Sequence, residues 1–320
     1  MSRIDDGAQR LDQLAEKLVR FPNLIGSELD LSQYMNDEIH HRVKSADSYR
    51  EAVLDLIAGN GGEKGTALPW NGVANKFELR THEMTVWTGY KGHGKSLLIS
   101  QVLNAVLCRG ESLFIISPEF RPERVLLRMM IQRLRTDKPD MQRFEKWLNW
   151  LTPNVWLYDA QASLKPRDVV ALCRYAAKEL GVKHILIDSL MKCGIPPDDY
   201  GAQKSLVDQL QNIAHQNPLH MHLVAHARKD KDDDKPARLH DIKGASEIAD
   251  MAENVMSVWR NKKKEKDASR FQDEPDAILT VEAQRNADGW IGAIPLYFDR
   301  SSMLFYETGY APDRISSIEY

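Results

Sequence analysis

Length, composition and charge place the chain among globular proteins with room for one large α/β domain and a smaller appendage. It has 320 residues, of which 42% are hydrophobic and 28% are charged. The formal net charge is −3, so the chain lacks the basic excess that many nucleic-acid-binding proteins carry. Any nucleic-acid site must therefore be a local basic lining.

The sequence offers neither a membrane span nor a disulfide framework. No apolar run approaches the roughly 20 residues that cross a bilayer, and residues 1–14 carry no stretch of signal-peptide type. Cys108, Cys173 and Cys193 lack metal-ligand spacing and form no disulfide framework. These features predict a reduced, cytoplasmic location and no membrane partner.

Residues 1–58 are predicted to form a helical N-terminal arm. Apolar residues follow helical spacing near both ends of it, at Leu11, Leu14 and Leu18 and at Val53, Leu54 and Ile57. A break at 21–23 interrupts this pattern, and the glycine-rich residues 59–65 end any helix. We expect a linker and entry to the core at 59–82 and an ATPase domain at 83–320. Whether the arm packs on its own core or docks on a neighbouring subunit stays open.

From residue 83 onwards, strand and helix patterns alternate. The predicted strands are Met84–Thr88, Ser112–Ser117, Val155–Tyr158, His184–Asp188 and His220–Ala225. The predicted helices are Lys95–Cys108, Pro122–Arg135, Pro166–Leu180 and Ala202–Gln216. This alternation predicts an α/β fold with a mainly parallel sheet and helices on both faces.

No helix is expected beyond residue 252, where short strands follow one another. They are Val255–Trp259, Ile278–Ala283, Ala293–Phe298 and Met303–Tyr306. Because only short turns join these segments, we expect them to extend the sheet in antiparallel fashion.

A glycine-rich loop lies between the first predicted strand of the core and the helix that follows. Its sequence, GYKGHGKS, matches the phosphate-binding pattern GxxxxGK[ST] throughout. Glycines let backbone N–H groups turn towards phosphate oxygens, and the helix directs its positive end at the anion. Lys95 is expected to reach the β- and γ-phosphates, and Ser96 to ligate Mg²⁺. The predicted nucleotide-binding set is Gly89, Tyr90, Lys91, Gly92, His93, Gly94, Lys95, Ser96 and Leu97.

Three polar side chains follow predicted strands at the edge where a ligand would bind. Asp188 ends an apolar strand and is expected to hold Mg²⁺ through its water shell, unless Asp188 or Ser189 caps a helix. Glu119 is the candidate base that activates water; the alternative is a solvated loop glutamate. His226 either senses the γ-phosphate or is structural.

The order of these motifs resembles the helicase domain of the DnaB-like (superfamily 4) replicative helicases, most closely the phage primase–helicase and Twinkle branch. The resemblance covers roughly residues 49–308 and implies a RecA-like core. It is carried by GYKGHGKS (89–96), ISPEF (116–120), HILIDSLMK (184–192), LVAHARK (223–229), LHDIKGASEIADMAENVMSVWRNKK (239–263) and AQRNADGWIG (283–292).

The resemblance implies a role at each matching catalytic position. Glu119 resembles the catalytic glutamate, and Asp188 the carboxylate associated with Mg²⁺. His226 resembles the γ-phosphate sensor, which is His in the phage branch and Gln in the bacterial one. Arg285 resembles the arginine finger that enters the neighbouring subunit's site, where a planar cation would stabilise the transferring phosphoryl group.

The resemblance also implies contacts with the base and with DNA. Arg260 and Phe298 resemble the pair that sandwiches the nucleotide base. The segments 190–204 and 228–243 resemble loops that face the central channel and touch single-stranded DNA. The DNA-binding residues predicted on them are Lys192, Lys204, Arg228, Lys229, Arg238 and Lys243.

The sequence departs from the family pattern in three places. Ala283 stands where the family usually has a lysine, two positions before the finger, so coupling between subunits is expected to differ. The loop 228–243 mixes basic and acidic residues, which indicates a weaker electrostatic grip on DNA or a solvated mobile loop. Residues 1–58 are too short for a primase domain and carry no zinc-binding cysteines, so no primase activity is predicted.

The leading prediction is a ring-forming DNA helicase, expected to be a hexamer, that hydrolyses ATP or another NTP with Mg²⁺ and moves 5′→3′ on single-stranded DNA. Its polarity comes from the resemblance alone, as do a phage or plasmid origin and a primase, polymerase or loader as partners. Two alternatives remain: a RecA- or RadA-like recombination mediator, and a non-motor accessory subunit or loader. Unwinding that depends on duplex length would separate the helicase from both.

Overall fold

The computed structural model describes most of the core and part of the N-terminal region. The described residues are 24–25, 45–57, 65–74, 76–159, 164–227, 246–286 and 289–307. Within these ranges, none of the helices has the length and apolar character needed to cross a membrane.

A ten-stranded sheet forms the centre of the molecule, and a two-stranded sheet lies apart from it. In chain order the strands are β1 (Leu24–Ile25), β2 (Thr66–Ala67), β3 (Glu78–Leu79), β4 (Glu83–Thr88), β5 (Leu113–Ile116), β6 (Val155–Tyr158), β7 (His184–Ile187), β8 (His220–Val224), β9 (Asn254–Arg260), β10 (Ala277–Gln284), β11 (Gly292–Asp299) and β12 (Leu304–Tyr306). The order across the large sheet is β1-β6-β5-β7-β8-β4-β9-β10-β11-β12, and β2 pairs with β3.

The large sheet has a parallel part and an antiparallel part. Every pair from β1 to β9 in the sheet order is parallel, and the pairs from β9 to β12 are antiparallel. The central strands β4, β5, β7 and β8 are buried along their whole length. Such continuous burial requires helices on both faces, as the apolar runs in these strands predict.

Helices cover both faces of the sheet. They are α1 (Arg50–Ile57), α2 (Asn71–Ala74), α3 (Lys95–Leu107), α4 (Pro122–Leu134), α5 (Met141–Leu151), α6 (Pro166–Tyr175, continued by a π-helical turn at Ala176–Leu180), α7 (Tyr200–Gln216), α8 (Ser246–Met251) and α9 (Lys262–Lys266). One apolar core joins α3, α4 and α5 to the sheet. A second core on the opposite face joins α6, α7 and α8 to it.

The structure confirms the predicted sheet and corrects two expectations about helices. Leu24–Ile25, in the arm predicted to be helical, forms a strand that pairs in parallel with β6. Pro22 lacks an N–H group just before it, which disfavours a helix there. The expectation of no helix beyond residue 252 is also wrong. In α9, the Asn261 side chain accepts a hydrogen bond from the Lys264 N–H and so caps a short helix among the C-terminal strands.

Candidate nucleotide site

The phosphate loop connects β4 to α3 at the carboxyl edge of the parallel strands. Gly94 precedes the first residue of α3 with a φ of 84°, and Gly89 has a φ of 141°. A Cβ at position 89 would lie 2.3 Å from the backbone oxygen of Val258 on β9. Glycine is therefore required at this position by conformation and by space.

The Lys95 ammonium points back into this loop. It donates hydrogen bonds to the carbonyl oxygens of Gly89, at 2.7 Å, and Tyr90, at 3.0 Å. Only 5% of the residue is exposed. This burial lowers the pKa of Lys95 to about 8, although the nearby Asp188 and Glu119 carboxylates oppose the shift. The ammonium thus lies in the loop beside both predicted catalytic carboxylates.

Asp188 and Ser96 lie together beside the loop. Asp188 follows β7 and is only 3% exposed, and this burial raises its pKa. A hydrogen bond between Ser96 and the Asp188 carboxylate acts in the opposite direction. A hydroxyl and a carboxylate are hard oxygen ligands of the kind that Mg²⁺ prefers, so the residues present fit this ion.

The helix-cap alternative for this segment does not match the geometry. Ser189 precedes a short 3₁₀ helix, Leu190–Lys192, but its side chain makes no capping hydrogen bond there. The hydroxyl instead donates to Oε1 of Glu119 at 2.6 Å. Ser189 therefore faces the site, and Asp188 is not the residue that precedes the helix.

Glu119 takes part in a compact hydrogen-bonded group. Besides the bond from Ser189, its Oε1 lies 3.3 Å from Nε2 of His226. The contact with His226 contributes most to lowering the pKa of Glu119 to about 2, while burial opposes it and the bond from Ser189 and the charge of Lys192 add to it. Glu119 is consequently an ionised, hydrogen-bonded carboxylate and not the solvated loop glutamate of the alternative interpretation.

Arg260 and Phe298 line one pocket beside the phosphate loop. The pocket has a volume of about 200 Å³, and its walls include His93, Gly94, Leu97 and Phe305. The Arg260 guanidinium pairs with Glu265 and donates to the Gly92 carbonyl oxygen at 3.4 Å. The Phe298 ring centre lies 5.0 Å from that of Phe305. A planar base would fit this cation- and aromatic-lined pocket next to the phosphate site.

Arg285 lies away from the phosphate loop of its own chain. In β10, Ala277 is opposite Arg260 and Gln284 is opposite Asn254. Seven residues of strand separate these two positions, a distance of roughly 20 Å. Arg285 follows Gln284 directly, is exposed, and its Nη1 lies 3.5 Å from the Met251 carbonyl oxygen. The structure therefore does not bring this residue into the site formed by the same chain.

The predicted DNA-binding residues divide between described and undescribed parts of the chain. Lys192 and Lys204 are exposed, and the Lys192 charge is close enough to contribute to the lowered pKa of Glu119. The other four predicted residues, Arg228, Lys229, Arg238 and Lys243, lie outside the described residues.

Comparison with known families and structures places this architecture. The family model of an AAA domain matches residues 76–232. The solved ATPase domain of a DnaB-like helicase superposes with a TM-score of 0.68 at 14% identity, over 82% of this chain and 99% of that one. The chain has the fold of a DnaB-like helicase ATPase domain.

A second solved structure supports the same assignment. It is that of a DnaB-like replicative helicase, determined to study its interactions with primase, and it superposes with a TM-score of 0.64 at 12% identity. The match covers 93% of this chain and 76% of that one. The predicted resemblance to DnaB-like proteins and the RecA-like fold class are confirmed.

Two residues of this site were not predicted from the sequence. For Ser189 the pattern suggested only a helix cap, although it directly follows Asp188. Arg128 lies on α4, where its guanidinium is 4.8 Å from the centre of the Phe120 ring, and its charge opposes the rise that burial causes in the pKa of Asp188. Arg128 belongs to none of the motifs and gave no signal, because the face of α4 that meets the site depends on packing.

Proposed function

We propose that the chain is the motor of a replicative DNA helicase, which hydrolyses a nucleoside triphosphate and moves 5′→3′ on single-stranded DNA as a ring. The observation that carries the proposal is the meeting of Lys95, Asp188 and Glu119 at one sheet edge, beside a pocket that fits a base. A nucleotide needs all of these features at once: a phosphate cradle, oxygen ligands for a cation, a base for water and a flat pocket.

Each residue of the site has a chemical task in this proposal. Lys95 exchanges its two backbone acceptors for phosphate oxygens. Ser96 and Asp188 would hold Mg²⁺, which when bound neutralises charge on the phosphates. Glu119 orients the attacking water and accepts its proton. His226, which lies beside Glu119, would sense whether the γ-phosphate is present.

The position of Arg285 favours nucleotide sites shared between subunits. An arginine that stabilises the transferring phosphoryl group must approach that group, but here it lies roughly 20 Å along β10 from the base pocket. We propose that Arg285 enters the site of the next subunit in a ring, which we take to be a hexamer. Hydrolysis would then require assembly.

The proximity of Lys192 to Glu119 supports coupling between DNA and hydrolysis. Lys192 belongs to the segment 190–204 proposed to face the channel, and its charge reaches the base. Contacts to the DNA backbone by Lys192, Lys204 and the basic residues of 228–243 would grip the strand without reading its sequence. Primase, polymerase or a loader are the partners we propose for such a motor in a bacterial cytoplasm.

The deciding experiment measures nucleotide hydrolysis with and without single-stranded DNA, and then unwinding of forked duplexes with a free 5′ or 3′ tail. We expect DNA to stimulate turnover and only the substrate with a 5′ tail to be unwound. Hydrolysis that ignores DNA, together with no unwinding, would reject the helicase and favour a recombination mediator or an accessory subunit.

Mixed rings test the shared site. Subunits carrying Arg285→Ala and subunits carrying Glu119→Gln are each expected to be nearly inactive alone. Because one variant keeps the finger and the other keeps the base, mixing them should restore some complete sites. Absence of rescue at every ratio, with ring assembly shown by light scattering, would contradict a finger that acts on the neighbouring subunit.

A further inference from the structure

Three strand ends bring three side chains to a single carboxylate oxygen. Glu119 follows β5, Ser189 follows β7 and His226 follows β8. Oε1 of Glu119 accepts a hydrogen bond from the Ser189 hydroxyl at 2.6 Å and lies 3.3 Å from Nε2 of His226. Ser189 is fully buried, and its Oγ lies 3.5 Å from the same nitrogen.

The hydroxyl of Ser189 has one proton, and the geometry directs it to Glu119. A donor on a carboxylate stabilises the ionised form and weakens the carboxylate as a base. For hydrolysis, Glu119 must take a proton from water while the water oxygen bonds to the γ-phosphorus and the bond from that phosphorus to the bridging oxygen breaks. A hydrogen bond that holds Oε1 opposes this transfer.

We propose that Ser189 is a positioning residue that restrains Glu119 and keeps turnover low until the restraint is released. This inference rests on the proposed role of Glu119 as the base. It goes beyond that role because it assigns a separate residue to the control of the base.

The backbone around Ser189 provides a route for release. Its carbonyl oxygen accepts a hydrogen bond from the Lys192 N–H at 2.9 Å, and the Cys193 thiol lies 3.6 Å from the same oxygen. Ser189 is thus tied to the start of the segment 190–204. A displacement of that segment by a bound strand would move the Ser189 hydroxyl away from Glu119 and free the base.

The test measures steady-state turnover of Ser189→Ala with and without single-stranded oligo-dT. We expect DNA-independent kcat to rise about three- to tenfold, because the freed carboxylate is a stronger base. The rate with oligo-dT should change little, so the ratio of the two rates should fall. Ser189→Cys keeps the side chain's size but is a weaker donor, and it should give an intermediate rise.

Ser302→Ala is the matched control. Ser302 is also buried, and its hydroxyl donates to an Asp299 carboxylate oxygen at 2.6 Å, away from Glu119. It removes a similar hydrogen bond without touching the base, so its kcat should equal that of the unaltered chain. Thermal unfolding and binding of a fluorescent nucleotide identify any loss due to misfolding.

Two further variants separate this inference from the proposed function. If Glu119→Gln keeps normal turnover, Glu119 is not the base and the proposed function loses its catalyst. If Glu119→Gln is inactive but folded Ser189→Ala or Ser189→Cys turns over no faster than the unaltered chain, the restraint is refuted while the base stands. The double variant Ser189→Ala/Glu119→Gln should be as inactive as Glu119→Gln, and extra turnover there would also overturn the inference.

Discussion

Two buried histidines predict that the protein loses stability in mild acid. His220 and His222 both lie on β8 and are at most 1% exposed. Nε1 of Trp87 donates to Nδ1 of His222 at 3.2 Å, so this nitrogen carries no proton. Nε2 of His222 lies 3.0 Å from Nδ1 of His184, and Nε2 of His184 lies 2.5 Å from Glu111. The chain of hydrogen bonds is complete with a neutral His222.

Burial also keeps His220 neutral. Its Nδ1 lies 2.6 Å from the Arg80 carbonyl oxygen and its Nε2 lies 2.9 Å from the Thr85 hydroxyl. Burial and then the neighbouring His184 lower the pKa of His220 to about 3. Burial, followed by the neighbouring histidines, holds the pKa of His222 well below its usual value. Neither ring takes up a proton in the folded protein at mildly acidic pH.

Linkage gives the sign and the size of the effect. The folded pKa values lie below the value of about 6.5 in the unfolded chain, so the unfolded state binds the extra protons. Stability is therefore complete above that value and falls as the pH decreases through it. Between about pH 7.5 and 5.5, each histidine should cost about 1.4 kcal/mol and both together about 2.7 kcal/mol.

Urea unfolding at these two pH values measures the effect. The control is His220→Asn, whose side-chain N–H can still donate to the Arg80 carbonyl oxygen but which does not titrate. We expect it to lower stability at neutral pH, because Thr85 loses its partner, and to halve the pH-dependent loss to about 1.4 kcal/mol. A free energy of unfolding that stays within about 0.5 kcal/mol across this range, or an unchanged loss in His220→Asn, would refute the reasoning.

Three further predictions concern the nucleotide site. Gly89→Ala should destabilise the protein by about 2 kcal/mol or more and weaken nucleotide binding, because its Cβ would meet the Val258 oxygen at 2.3 Å; an unchanged melting temperature would contradict this. Phe298→Ala should weaken nucleotide binding about tenfold, through the loss of one aromatic wall, in a fluorescent-nucleotide titration; unaltered affinity would exclude base contact there. Because Lys95 has a pKa of about 8, the nucleotide Kd should rise by up to about tenfold per pH unit above that value, whereas a Kd that is constant up to about pH 9.5 would show that its charge is not needed.

The sequence predicted the strands well because burial left a clear pattern. The apolar runs around Phe114 on β5 and Ile185 on β7 are buried from both sides, and the structure confirms them as strands. In contrast, α5 was not predicted, although Asp140 caps it and Trp147 and Leu148 face the core. Its signal was present but lies between elements with stronger ones. The pairing of β1 with β6 could not be predicted, because it joins residues more than a hundred positions apart.

The candidate site was predictable only in part for a similar reason. The phosphate loop is continuous in sequence, so its spacing specifies it, and strand ends indicated Asp188 and Glu119. The pocket between Arg260 and Phe298 depends on how antiparallel strands bring distant positions together, and only the resemblance pointed to it. The bond between Ser189 and Glu119 depends on two adjacent strand ends and had no sequence signal.

The change from parallel to antiparallel pairing gives the two halves of the sheet different tasks. The parallel strands bring Lys95, Glu119 and Asp188 to one edge, where phosphate chemistry can occur. β10 reverses direction, so that Ala277 lies at that edge and Arg285 follows the strand's other end. The same short hairpin therefore presents a base pocket to its own chain and a cation to another surface. A chain built this way has its own base and phosphate loop but no access to its own Arg285, which is why we expect turnover to depend on a neighbouring copy.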